Sequence, residues 1–304
     1  LVTDLFADES GRVHGVRVKR PDGSIEEIGC DALILACNGY GGNRELLERY
    51  IPEGADMFYE GHVGNQGDAI RWGESLGASV RDLGSFQGHG AVAWPAATHL
   101  SWPTVTEGGF HVNSSGRRFS NENSGYSEQA LHVHRQPGKL AWAIWDQRGE
   151  TIAFRQESHV KAVESGCVKQ CNSIDEVARV IGCDPSVLSD TFADVAACVR
   201  GDRTDPLGRT FTGKPMLSAP YYVCKIVGAL THTQGGLEID TSMRVLRTNG
   251  QAFPNLFAGG GAARGLSGPA DWGYMSGSGL LMATSTGRLA GEAAADLVLG
   301  RTTR

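Results

Sequence analysis

Several things are scarce in this 304-residue sequence, and each scarcity excludes a class of protein. No apolar run approaches the roughly 20 residues of a membrane-spanning helix, so no span is expected. Lys and Arg nowhere form a block long enough to track a phosphate backbone, and the formal net charge is −6; both argue against a nucleic-acid partner. The seven cysteines are scattered. Only Cys167 and Cys171 lie close together, without a matching His/Cys pair, so no metal site is expected and reduced thiols are. The opening stretch, LVTDLFADES, has no basic segment and no cleavage pattern. No signal peptide is therefore expected, and a cytoplasmic location is.

Glycine is abundant instead. The 42 glycines of 304 residues are about twice the usual share of roughly 7%. They cluster in loops beside apolar runs, which suggests ligand sites lined by backbone. The last quarter, His232 to Gly291, shows this best. Asn255-Leu256-Phe257-Ala258 reads as a strand end that runs into Gly259, Gly260 and Gly261. Ser276-Gly277-Ser278-Gly279 then opens a helical run, Leu280 to Asp296. Glycine lets a backbone approach a ligand closely, and a helix N-terminus offers unpaired N–H groups and partial positive charge. Together they make a floor for an anionic or carbonyl-bearing ligand.

Earlier in the chain, residues 1–36 alternate like a β-meander with a Pro21-Asp22-Gly23 turn. Ala32 to Ala36 is a continuous apolar run, expected as a strand buried on both faces. It ends in Cys37-Asn38-Gly39, and Asn43 is placed to cap a helix from Arg44 to Tyr50. Gly64-Asn65-Gln66-Gly67-Asp68 opens a second helix, Ala69 to Leu76; Asp68 either caps it or holds a ligand hydroxyl, capping being the commoner task. After Ser85 the character changes. The β-branched run Thr104-Val105-Thr106 leads to a strand at Phe110 to Asn113. A further strand, Leu140 to Trp145, is followed by helices at Ile174 to Ile181 and Pro185 to Val199, and Tyr221 to Leu230 reads as a strand leading back. A helical and mixed insertion between two glycine-rich parts implies an α/β protein whose ligand-binding domain is discontinuous.

The runs ALILACNGYGGN, GNQGDAI, FQGHG, HVNSSGRRFSNE, HTQGGLEID, LRTNGQAFPNLFAGGGAA and SGSGLLMATSTGRLAG together resemble the soluble FAD-dependent members of the fumarate reductase/succinate dehydrogenase flavoprotein superfamily. They fall in that family's order and span nearly the whole chain. The resemblance implies a partial doubly wound, Rossmann-like FAD-binding domain with an inserted α+β capping domain. The expected divisions are 1–86 for the first part of the FAD domain, 87–220 for the cap and 221–304 for the second part. The family's opening strand and GxGxxG, which hold the ADP half of FAD, have no counterpart here. The chain is accordingly expected to be a fragment, one half of a split enzyme, or a truncated relative, with a missing segment or partner chain completing the cofactor site.

The resemblance also carries residue roles. Asn38, Gly39, Asp68, Gly259, Gly260, Ser278, Gly279, Leu280 and Leu281 are the expected FAD-binding positions. His89 and His232 match the family's two substrate histidines. The family's two carboxylate-clamping arginines are replaced, by Tyr126 four residues after Glu122 and by Tyr274 near the last glycine loop. Arginine is the residue for gripping a carboxylate with two parallel hydrogen bonds, so its loss argues against a dicarboxylate. Arg117 and Arg118 are expected to be solvated charges in a turn. A tyrosine at the Tyr126 position resembles the 3-ketosteroid dehydrogenase branch, where it acts as base beside a ketone. The implied activity moves a hydride between FAD and a carbon α,β to a carbonyl or carboxylate, with Tyr126, His89, His232 and Tyr274 as catalytic candidates. The implied partners are a small carbonyl- or carboxylate-bearing substrate and, there being no haem CxxCH motif, a separate electron donor or acceptor. A reductase of unsaturated acids and a flavin-free binding module are the alternatives. Trp94, Trp102, Trp272 and Phe110 line a pocket or belong to core, and Glu107 and His111 have no assigned role.

Overall fold

The computed structural model describes residues 1–211 and 213–301. The chain forms two compact units, Leu1–Gln87 with Thr231–Arg304, and Gly88–Leu230. The architecture is mixed α/β, and among the described residues no helix is long and apolar enough to cross a membrane.

The first unit begins with β1 (Val2–Ala7), β2 (Val13–Lys19) and β3 (Ile25–Gly29), an antiparallel sheet in the order β1-β2-β3. The turn before β3 is closed by Asp22, whose carboxylate accepts from the Ser24 N–H at 2.9 Å. β4 (Leu33–Leu35) is shorter than the apolar run predicts, and Leu33 and Ile34 are only half-buried. The expected burial on both faces fails because β4 lies at the edge of its sheet. α1 (Arg44–Tyr50) starts where the sequence places it, with Asn43 Oδ1 accepting from the Leu46 N–H at 3.1 Å. After β5 (Phe58–Tyr59) comes α2 (Asp68–Ser75). Asp68 does not cap α2: Gly67 holds the cap position at φ 80°, and Asp68 is the first helical residue, paired with Arg71 at 2.6 Å. β6 (Val80–Arg81) closes this segment.

The second unit contains most of β7 (Phe86–Ala93), then β8 (Thr98–His99), α3 (Pro103–Thr106), β9 (Phe110–Val112), α4 (Tyr126–His134), β10 (Leu140–Asp146), α5 (Gln147–Ala153) and α6 (Glu157–Glu164). It continues with β11 (Val168–Cys171), α7 (Ile174–Ile181), α8 (Pro185–Arg200) and most of β12 (Tyr221–Thr233). The strands run β8-β7-β12-β10-β9, with β11 also on β12. The β-branched run at Thr104 is a helical turn, not extended chain: Pro103 presets the first helical φ, and Thr104 Oγ1 folds back onto the Ser101 carbonyl at 2.8 Å. α7 and α8 show why their ends were legible. Ser173 and Asp184 cap their N-termini through side-chain oxygens, and Gly182 and Gly201 end them at φ 81°. Their apolar faces pack with Phe110, Val112, Ile144 and Val223. Phe110, fully buried against the Phe192 ring at 5.1 Å, belongs to the core.

The chain then completes the first unit with β13 (Gly236–Leu237), β14 (Arg244–Leu246), β15 (Ala252–Ala258) and α9 (Ser278–Val298). β15 is the centre of the sheet β14-β15-β4 and runs parallel to β4, pairing Leu256 with Leu33 and Ala258 with Leu35. Buried Asn255 ties this sheet to the meander. Its side chain accepts from the Val13 N–H at 2.8 Å and donates to the carbonyls of Val13 and Asp31 at 2.7 and 2.8 Å. α9 packs Ala290 and Ala294 against Phe257 and Met243.

Candidate functional site

Each unit gathers part of the predicted set. In the first, the parallel strands β4 and β15 end side by side, so the loops that follow them meet. Asn38 takes a left-handed conformation at φ 64°. Gly39 packs on Thr233, whose hydroxyl accepts from the Tyr40 N–H at 3.1 Å. On the other strand, the Gly260 N–H donates to Thr286 Oγ1 of α9 at 2.8 Å, and that hydroxyl donates to the Met282 carbonyl. Two threonines thus fasten the Asn38–Gly39 loop to the end of β12 and the Gly259–Gly260 loop to α9.

The cap position of α9 is Gly277, φ 82°, which supplies no side-chain cap to the helix start. His232 lies against this turn. A Cβ on Gly279 would stand 2.9 Å from two atoms of the His232 ring, so only glycine admits the contact. Gln234 Nε2 lies 3.2 and 3.3 Å from the two ring nitrogens, and burial lowers the imidazole pKa, favouring the neutral form. Ser278 is buried, whereas the side chains of Leu280 and Leu281 are exposed. Tyr274 donates its hydroxyl to Gln87 Oε1 at 2.9 Å. Asp68 lines a cavity of about 410 Å³ with Leu33, Leu35, Cys37, Gly64 and Trp72.

In the second unit a close helix–strand contact places Tyr126. A Cβ on Gly88 or Gly90 of β7 would collide with Ala130 or Gln129 of α4; the two glycines therefore let the helix sit directly on the strand. The Gly88 N–H donates to Ser127 Oγ at 2.9 Å and pins the helix start. Tyr126, the first residue of α4, brings its ring 5.3 Å from His89 and 5.9 Å from Trp102. His89 stacks on His99 with centroids 4.0 Å apart and planes 4° from parallel. Its Nδ1 accepts from the Ala91 N–H at 3.3 Å, which leaves the ring proton on Nε2. Burial, with His99 and His111 nearby, holds the His89 pKa well below the ordinary histidine value. His89 is a neutral N–H donor at pH 7.

Beneath this aromatic group lies a buried charge network that corrects one expectation. Arg118 is not a solvated turn charge: its side chain is 7% exposed and pairs with Glu122 at 2.7 Å and Asp205 at 3.0 Å. Arg209 adds an ion pair to Glu122 at 3.1 Å and donates to the carbonyls of Gly109 and Val105. Burial pushes the Glu122 pKa up, but the two guanidiniums outweigh it and hold it at about 2. Of the aromatics, Trp102 borders Tyr126 and His89, while Trp94 is partly and Trp272 more fully exposed. Glu107 pairs with Lys214 at 2.6 Å. Sequence reasoning passed over His99, Gln129 and Arg209. The glycine pair on β7 was the available signal for Gln129, because alternate glycines on a strand invite another element's close approach.

Comparison with known proteins bears on both units. A family model described as FAD binding domain matches residues 1–279. The chain is 26% identical, over 99% of its length, to the probable fumarate reductase Ifc3 of Shewanella frigidimarina, covering 50% of that protein. It is 30% identical to 3-oxosteroid 1-dehydrogenase of Mycobacterium tuberculosis, with 85% of this chain and 52% of that protein covered. Among solved structures, the open conformation of a flavocytochrome c3 fumarate reductase aligns with a TM-score of 0.77 at 26% identity, covering 98% of this chain and 52% of that one. The chain thus spans about half the length of the curated relatives it matches.

Proposed function

The chain belongs to the family of FAD binding domains that matches residues 1–279, and from that premise we propose that it serves an FAD-dependent oxidoreductase acting on a CH–CH bond beside a carbonyl group. The first unit fits the cofactor: two glycine loops at the ends of parallel strands, beside a helix start without a side-chain cap, suit the ribityl and pyrimidine half of FAD. Asn38, Gly39, Gly259 and Gly260 would hold it, and the Ser278–Leu281 backbone would supply N–H groups to its electron-rich carbonyls. Bound FAD supplies the hydride chemistry.

The second unit supplies acid–base groups. Tyr126 takes or returns the proton on the carbon next to the carbonyl, and the neutral Nε2–H of His89 donates to the carbonyl oxygen, where charge develops. His232 is the corresponding neutral group beside α9, and Tyr274 is a second phenol in the first unit. A separate electron donor or acceptor completes the cycle. The observation that carries a carbonyl over a dicarboxylate is the commitment of Arg118 and Arg209 to Glu122 and Asp205, which leaves those guanidiniums unable to clamp a substrate. The likeness to a 3-oxosteroid dehydrogenase points the same way.

The test is anaerobic titration of the intact, FAD-loaded protein, followed by the visible flavin band. A 3-oxosteroid such as progesterone is expected to bleach the band, and succinate is not. Bleaching by succinate, or reoxidation of the reduced protein by fumarate and by no enone, would contradict the reading.

A further inference from the structure

His111 has no task in the reading above, and its hydrogen bonding is one-sided. It lies on β9 and is 1% exposed. Ser120 Oγ donates to Gln129 Oε1 at 2.8 Å, which turns the other end of that amide, Nε2, onto His111 Nδ1 at 3.0 Å. An amide nitrogen only donates, so Nδ1 accepts and the ring proton resides on Nε2. That Nε2–H is buried and has no hydrogen-bond partner among the described residues. A buried donor without an acceptor weakens a fold. Here it is held in place by an ordered chain, from Ser120 through Gln129, that depends in turn on Gly90 leaving room for Gln129. The ring stands edge-on to Trp102, with centroids 6.1 Å apart and planes at 85°, and Trp102 also borders Tyr126 and His89. Burial, reinforced by Arg209 and Arg118 against the pull of Glu122, lowers the His111 pKa to about 4. At pH 7 the ring is uncharged and cannot attract a carboxylate by charge.

We propose that His111 is a substrate-binding residue whose Nε2–H donates to the oxygen of a ring ketone lying along Trp102, as a second donor to the oxygen that His89 serves. The proposal rests on the carbonyl-site reading and narrows its substrate class to flat, ring-borne ketones. A keto oxygen has two lone pairs and takes two neutral donors fully. A carboxylate needs more donors and a cation, and the guanidiniums of Arg118 and Arg209 are already engaged.

The test compares equilibrium binding of two probes to the intact FAD-loaded protein: progesterone, which carries a ring ketone, and the same steroid without that oxygen. Binding requires no turnover, so the result stands apart from any failure of the redox reading. In wild type the ketone is expected to bind more tightly. His111→Leu is expected to weaken the ketone about tenfold and to leave the deoxygenated steroid unchanged. His111→Gln, whose amide nitrogen reaches the position of Nε2, is expected to recover most of the loss. Thermal unfolding of each variant separates a lost fold from a lost donor. Equal weakening of both probes in a folded His111→Leu protein overturns the proposal. So does a wild type with no preference for the ketone.

Discussion

Buried ionisable groups set how this protein responds to acid. Glu122 is charged in the fold down to about pH 2, below the roughly 4.3 of a free glutamate. Its folded pKa is depressed, so its contribution to stability is present above the unfolded value and is lost as pH falls towards 2. His89 and His111 are neutral in the fold, His111 down to about pH 4, whereas free histidine gains a proton near 6.5. Between those limits the unfolded chain binds more protons, so stability rises with pH there. Thermal midpoints measured from pH 7 to pH 3 should therefore start to fall just below pH 6.5. His111→Gln should flatten the part of that fall above pH 4 and leave the lower part intact. At the other candidate site, Gly279→Ala would press a methyl group into the His232 ring. The expected outcome is FAD binding weaker by about tenfold, read by quenching of flavin fluorescence.

Among the elements, the contact of α4 with β7 decides where Tyr126 stands. A Gly90→Ala change forces Gln129 and the helix outward. Overpacking of this kind costs about 1–3 kcal/mol, measurable as a lower urea midpoint. It should also reduce activity more than a Gly166→Ala change, whose cost comes only from its left-handed backbone at φ 73°. Elements that carry their own punctuation were legible in the sequence. α1 and α7 match their predicted limits, and α8 extends only one residue further, because Asn43, Ser173 and Asp184 cap them. Elements whose character depends on distant partners were not. Nothing local shows that Leu33–Leu35 lies at a sheet edge, since its neighbour β15 lies more than 200 residues on by chain order. Nothing local shows that Arg118 is buried, because Asp205 and Arg209 arrive from beyond α8. A proline and a serine outweighed β-branching at Thr104.

In the whole molecule, the glycine loops and the order of the motifs made the FAD family readable from the residues alone, and the family match over residues 1–279 agrees. The proposed substrate class was less readable, because the buried state of Arg118 and the donor left open on His111 depend on tertiary packing. About half the length of the related proteins lies outside this chain's match, so measurements of activity belong to the intact flavoprotein. The central claim is that Tyr126 moves the substrate proton. It is tested most directly by stopped-flow reduction of the FAD-loaded protein by a 3-oxosteroid, comparing wild type with Tyr126→Phe. The account predicts that the flavin is reduced at least about 100-fold more slowly in the variant, with FAD content and steroid affinity nearly unchanged. A variant that reduces its flavin at the wild-type rate would contradict it.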